Sequence, residues 1–330
     1  MRAHVYTILI LVLVVTGCIE THSSKNQKVK TVPEAPEEVT LQNDENMIIS
    51  LFGSVLPDKE IPQHIYASRN SKMEEARSAY EKDPKNIEKI IWYGRRLAYL
   101  GRYKEAIHIY SVGLDLDPHN YKLLRHRGHR YITVRDFDNA IQDLQRAVFY
   151  ARPAYNEMEE DGIPNKINQP RSNIKFNIWY HLGIAYYLKG NYDKAISAFK
   201  KSSEFADNDD LVVAVSDWFY MTYQKIGNKS AAQDLLAKID SKMDIAENYS
   251  YHQHLLMYKG LISPETLLKK ATEEEAIYPT LGYGIANWYF YNGQMAPGKS
   301  VLEGILKHNQ WDAFGYIAAE VDQFTLSGLN

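Results

Sequence analysis

Hydrophobic and polar positions divide the chain into three stretches. Residues 5–15 are an apolar run that follows Arg2. From Ile19 to about Met47 the chain is polar and charged, broken by Pro33 and Pro36, with no apolar period, the composition of a flexible tether. Beyond that, apolar side chains recur three and four residues apart, which places them on one stripe of a helix. Shifting the chain by 34 residues against itself superimposes Gly94 on Gly128, Tyr103 on Phe137, Ala106 on Ala140 and Pro84 on Pro118. A repeat of that length cannot bury its apolar face alone and must stack against copies of itself.

The repeat boundaries follow from the turn glycines Gly101, Gly190, Gly227, Gly260 and Gly293, with Arg135 standing in that place in the second copy. Glycine suits the turn between two helices because it adopts φ > 0 without penalty. Six copies are predicted, at 87–120, 121–154, 176–212, 213–245, 246–278 and 279–311. In the fifth, Glu265 replaces the small packing residue. An extension over 48–86 precedes them and contains an orphan helix with Ala76 and Ala79 at packing places. Residues 312–330 supply a capping helix and tail, needed because the last copy leaves an apolar face uncovered. The domain layout is therefore 1–17, 18–47, 48–86, 87–154, an acidic inserted loop at 155–175, 176–311 and 312–330.

The clearest copy reads NIWYHLGIAYYLKGNYDKAISAFKKS. With Trp179, Leu182, Gly183, Tyr186, Gly190, Tyr192, Ala195 and Phe199 in place, it resembles the tetratricopeptide repeat. GRRLAYLGRY, RHRGHRYI and AFGYIAAE are similar to strings in an uncharacterised group of bacterial tetratricopeptide proteins. The resemblance implies an all-α fold, a right-handed α-solenoid of about six helix pairs with a concave binding surface, and brings no activity with it.

Composition changes this picture at three points. Tyr numbers 25 against 10 Phe and 5 Trp. Tyr103, Tyr131, Tyr186, Tyr192 and Tyr223 fall on packing places of the repeat, where a large ring with a polar tip suits an interface that reaches solvent. A net charge of −3 gives no footprint for nucleic acid. The chain's single cysteine rules out an intrachain disulfide and any multi-cysteine metal site.

That cysteine lies in the first stretch. The basic start, the short apolar run and Val15-Thr16-Gly17-Cys18 read as a secretory signal. The last four residues resemble the lipobox of bacterial lipoproteins, which implies removal of 1–17 and lipidation of Cys18. Two acyl chains give the stable anchoring that one chain cannot. Ile19 follows Cys18 where aspartate acts as an inner-membrane retention signal in many two-membrane bacteria, so the expected location is the outer membrane, reached through the lipid anchor alone.

In the resemblance, five places on the first helix of each pair face the groove. Here they include Arg95 and Tyr99 in the first copy, Lys122, Arg125 and His129 in the second, and Tyr180 and Tyr187 in the third. Arg125 and His129 are four apart and share a helix face, so a basic, aromatic groove is expected, suited to an extended acidic or carboxylate-ended peptide. The clamp of the family's chaperone-binding members is absent, since Ile91, Arg95 and His126 occupy its places. Arg96, Arg127 and Arg130 stand at packing places usually held by small or apolar residues and are expected to be buried charges that need acceptors. Asp136, Asp143 and the insert's acids are the candidates. The run Glu157-Met158-Glu159-Glu160-Asp161 is expected to fold over the basic copies.

The chain has no Gly-rich phosphate loop, GxSxG elbow or HExxH helix. His252 and His254 lie two apart and point to different helix faces. No catalytic residue, metal or cofactor is assigned. The reading that follows is a non-enzymatic cell-envelope scaffold that binds a partner protein or peptide in the groove. Two competing readings remain at this point: a purely structural envelope lipoprotein, and an enzyme built on the Arg95, Arg125, His129 and Tyr99 cluster.

Overall fold

The computed structural model describes residues 47–328. Cys18, the apolar run before it and the tether to residue 46 lie outside them. The described residues form fourteen α-helices and one short 3-10 helix, Glu275–Ile277, with no strand beyond isolated antiparallel bridges at Ile49–Val55 and Met158–Asn173. Helix α1 (Gln63–Lys82) packs on the first of six antiparallel pairs, α2 (Ile87–Tyr99) with α3 (Tyr103–Leu116). Then come α4 (Tyr121–Thr133) with α5 (Phe137–Tyr150), and α6 (Ile174–Leu188) with α7 (Tyr192–Ser203). The fourth and fifth pairs are α8 (Asp209–Lys225) with α9 (Lys229–Ala237), and α10 (Tyr249–Tyr258) with α11 (Pro264–Glu273). The sixth is α12 (Tyr278–Tyr291) with α13 (Met295–Ile305), and α14 (Phe314–Leu326) ends the chain. This is the expected all-α solenoid. No described helix is long and apolar enough to cross a membrane.

Asparagines start the leading helices. The side chains of Asn86, Asn120, Asn173 and Asn208 each accept a hydrogen bond from the backbone N–H three residues on, at 2.9–3.3 Å. Each bond satisfies one donor that the helix cannot satisfy internally. Asn208 sets the start of α8 at Asp209, four residues ahead of the boundary expected from the glycine spacing. Within a pair, a small residue meets a ring. A Cβ on Gly183 would lie 2.4 Å from the Phe199 ring, so the α6–α7 approach is set by the missing side chain, and full burial of Phe199 contributes roughly 2–3 kcal/mol. In the fifth pair Glu265 is exposed, and Leu267 and Ala271 are buried.

The last helix does more than cover the sixth pair. Helix α14 packs on α12 and α13, as expected of a cap, and also reaches α6 across the concave face. The described residues ahead of α1 meet it there. Leu51 N donates to Glu320 Oε1 at 2.6 Å, Trp311 Nε1 donates to Pro57 O at 2.8 Å, and Phe52 sits edge-on to Phe324 with centroids 5.6 Å apart. Lys59 bonds both Asp312 and Tyr103, and Tyr103 Oη donates to Asp312 Oδ2 at 2.6 Å. The beginning and the end of the solenoid are therefore joined, and its concave side is an interior.

Candidate functional site

That interior begins with the histidines and arginines of α2, α4 and α6. Arg125 is 7% exposed and pairs through Nη2 with Glu159 Oε1 at 3.0 Å. Its Nη1 lies 3.0 Å from His126 Nδ1. Because arginine only donates, His126 accepts at Nδ1 and carries its proton on Nε2. His181 is the opposite tautomer, since its Nδ1 lies 2.6 Å from the carbonyl of Asn177, which only accepts. His129 packs between His181 and Phe314 of α14, with centroids 4.2 and 5.2 Å away. Burial first, and then neighbouring arginines, push His126, His129 and His181 well below the ordinary histidine value. All three are neutral rings in the fold. Burial also opposes the Arg95 charge, but Tyr99 and Glu159 outweigh it and hold the guanidinium above its ordinary value.

The insert covers this cluster. Arg95 Nη2 donates to the carbonyl of Glu160 at 2.6 Å and Arg96 Nη1 to that of Gly162 at 2.7 Å. Lys122 pairs with Glu157 at 3.0 Å and with Glu88 at 3.3 Å. Tyr121 Oη donates to Glu157 Oε1 at 3.0 Å, and Asn177 Nδ2 to Glu159 Oε2 at 3.0 Å. Backbone bonds from Glu159 N to Ser172 O (2.9 Å) and from Ile174 N to Glu157 O (3.0 Å) pin the segment as a short extended ladder. Arg95, Arg125, Glu159, Tyr180, His181 and Tyr251 border a cleft of about 380 Å³ beneath it.

Of the seven predicted groove residues, six lie around the insert and its neighbouring histidines, while Tyr187 lies apart against Trp218 and Tyr283, and none forms an open groove. Arg95, Arg125, Tyr180 and Tyr187 are buried, and Tyr99, Lys122 and His129 are half-buried. Tyr180 stacks on Phe176, and Tyr187 bonds Tyr283 of α12 across the interior at 2.7 Å. The expectation of an exposed concave surface at these places is corrected. Insert and α14 fill it, because the solenoid is closed tightly enough for its last helix to reach its third pair.

The arginines expected to be buried are corrected in the same way. Arg96, Arg127 and Arg130 are only half-buried. Arg127 makes the expected carboxylate fork to Asp143, at 2.6 and 2.8 Å, and donates to Ser111 Oγ at 2.9 Å. Arg96 lies over the Trp92 ring at 4.9 Å, and Arg130 over the Tyr103 ring at 5.4 Å. Asp143 thus serves Arg127 as predicted, while a main-chain carbonyl and an aromatic face serve Arg96 and an aromatic face serves Arg130.

Sequence reasoning missed the charges that close the solenoid. Arg135 donates through Nε and Nη2 to Glu320 Oε2, at 2.9 and 2.7 Å, and to the carbonyl of Trp311 at 2.9 Å. Its φ of 67° is the left-handed value of the turn glycines, so the sequence did carry a signal: an arginine where five copies have glycine. Lys225 is held by Asp322 at 2.8 and 2.9 Å. Asp217 pairs with His254 Nδ1 at 3.0 Å, and His254 Nε2 lies 3.1 Å from the carbonyl of Leu281. His252 instead faces the Asp240 carbonyl at 2.8 Å. Among the described residues no group of three or more His, Cys, Asp or Glu side chains is placed to hold a metal ion.

The tetratricopeptide repeat family model matches residues 176–209, covering α6 and α7. The chain carries a tetratricopeptide repeat. Over 134 residues it is 26% identical to the BBSome complex member BBS4 of Bos taurus, which spans 40% of this chain and 22% of that protein. Among solved structures, a tetratricopeptide repeat protein from Parabacteroides merdae ATCC 43184 superposes with a TM-score of 0.46 at 14% identity, covering 78% of this chain and 93% of that one. YrrB, described as a TPR protein with an unusual peptide-binding site, gives a TM-score of 0.41 at 14% identity over 76% of this chain and 99% of its own. In the matched tetratricopeptide repeat the first helix supplies Tyr180, His181 and Tyr187 to the filled interior.

Proposed function

We propose that this chain is a non-catalytic protein-interaction scaffold of the cell envelope, exported by its N-terminal signal and anchored through lipid on Cys18, in the outer membrane of a two-membrane bacterium. The partner is a protein or an extended peptide, held where the insert crosses α2, α4 and α6. One observation carries this reading. In the insert, Tyr155 is 87% exposed and Met158 and Ile163 are each 50% exposed, while Glu157 and Glu159 pair with Lys122 and Arg125. Exposed apolar side chains on a long inserted loop that crosses Arg95, Arg96, Lys122 and Arg125 mark an interaction surface.

The filled interior favours a second reading, in which the protein is a passive structural part of the envelope. Cross-linking in cells separates the two. Under the scaffold reading the wild type captures a defined partner, and Tyr155→Ser with Met158→Ser loses it. An identical catch from both proteins would remove the scaffold reading. For the anchor, Cys18→Ser should release the protein from the membrane fraction; retention would remove the lipoprotein assignment.

A further inference from the structure

The insert is built inside out. Along residues 157–160 burial alternates: Glu157 and Glu159 are half-buried, and Met158 and Glu160 are exposed. An extended strand sends successive side chains to opposite faces. Glu159, with its side chain 12% exposed, turns its carboxylate into the protein, Glu157 at 43% lays its own on Lys122 and Tyr121 at the rim, and Met158 faces solvent. A segment that belonged to the core would do the reverse. What holds it is polar throughout: Lys122 and Tyr121 on Glu157, Arg125 and Asn177 on Glu159, and Arg95 and Arg96 on the carbonyls of Glu160 and Gly162.

The fit is incomplete. Nε of Arg125 and Oδ2 of Asp161 are buried without a hydrogen-bond partner, a costly state for charged groups. Charge pairs of this kind weaken as ionic strength rises. The strand thus has the properties of a ligand, bound by charge and by main-chain carbonyls, which happens to be tethered at both ends.

We propose that the insert is a displaceable internal ligand, and that the partner of the basic interior presents an extended acidic segment with two carboxylates two residues apart, which takes the places of Glu157 and Glu159. This rests on the scaffold reading above, and names the partner's chemistry and the device that controls access to it. Two donors for each carboxylate select acid at both positions. The carbonyl contacts that follow are blind to side-chain identity, so the partner's residues there are unconstrained.

The test uses the full chain and a labelled synthetic peptide of residues 155–164. One variant, Glu157→Gln with Glu159→Gln, weakens the insert's hold. A second, Gly162→Ala, loosens it independently, since a methyl there would lie 1.9 Å from the hydroxyl of Tyr99, and it leaves every charge in place. Amide exchange at Glu159 and Ile174 reports whether the strand is free, and fluorescence anisotropy reports peptide binding. We expect both variants to exchange these amides at least tenfold faster than the wild type and to bind the peptide at least tenfold more tightly. Binding should fall with added salt and vanish when Arg125→Gln is introduced. A freed insert with no gain in peptide binding overturns the proposal, as does unchanged exchange in both variants. Peptide binding without any partner capture in cells removes only the scaffold reading, and capture without peptide binding removes only this inference.

Discussion

Replacing Arg135 by glycine sets two opposed effects against each other. Glycine is what the other turns use, and it relieves a left-handed backbone that costs an L-residue about 1–2 kcal/mol. The same change strands Glu320. That carboxylate is 1% exposed and its partner's side chain 3% exposed, and removing one member of a buried pair costs about 3–5 kcal/mol. The difference predicts a net loss of about 1–4 kcal/mol, with Leu51 N–H still donating to Glu320 Oε1 and holding the figure below the upper limit. Urea unfolding followed by helix signal measures it, with Glu320→Gln alone and in combination completing a double-mutant cycle. The combined variant should recover most of the loss, because a neutral amide is far cheaper to bury than an unpaired charge, and the coupling should exceed about 1 kcal/mol. If Arg135→Gly is as stable as the wild type or more so, the strain outweighs the pair, and the closure of the solenoid does not depend on this bond.

Other expectations concern the interior. The three histidines are held neutral below their ordinary value of 6.5, so an unfolded chain binds protons that the folded one refuses. Their contribution is complete above pH 6.5 and is lost as pH falls below it, at up to about 4 kcal/mol per pH unit for three groups. Denaturant midpoints at pH 7.5, 6.5 and 5.5 measure this; a flat profile would contradict it, and His129→Asn should lower the proton uptake by about one. Gly183→Ala drives a methyl to 2.4 Å from the Phe199 ring and should cost about 1–3 kcal/mol, read as a lower thermal midpoint; an unchanged midpoint would mean α7 yields freely. Asp322→Ala leaves the Lys225 ammonium without its carboxylate in a largely buried place and should destabilise more than Lys225→Met with Asp322→Leu, which removes both charges. The reverse order in an unfolding series would show that the pair is of no account.

The repeats were legible because each is a local pattern. Gly183 with Phe199, or Asn208 before α8, acts across a few dozen residues at most, and a 34-residue self-comparison finds such features. Which surface the solenoid buries is a property of its curvature, and no single repeat carries that. Thus Arg95 and Arg125 were placed correctly on the concave side and wrongly in the open. The contacts that bury them come from Glu159 on the insert and from α14, reached through superhelical geometry and not through spacing. Tyr180 and Tyr187 show the same limit. Both are expected in an open groove and both are buried, Tyr187 by a bond to Tyr283 in the sixth pair. Arg135 was the exception, an irregularity visible within the repeat whose reason lay 185 residues away at Glu320.

A stack of helix pairs ordinarily folds by neighbour-to-neighbour growth and loosens from its tips. The bond from Leu51 to Glu320 spans 269 positions, and such separations slow folding because a long loop must close before the contact returns anything. Here the first described residues cannot settle until the last helix has been made. In exchange, neither tip is free to fray, so opening should proceed as one cooperative event, with protection from amide exchange as high in the terminal helices as in the middle of the chain.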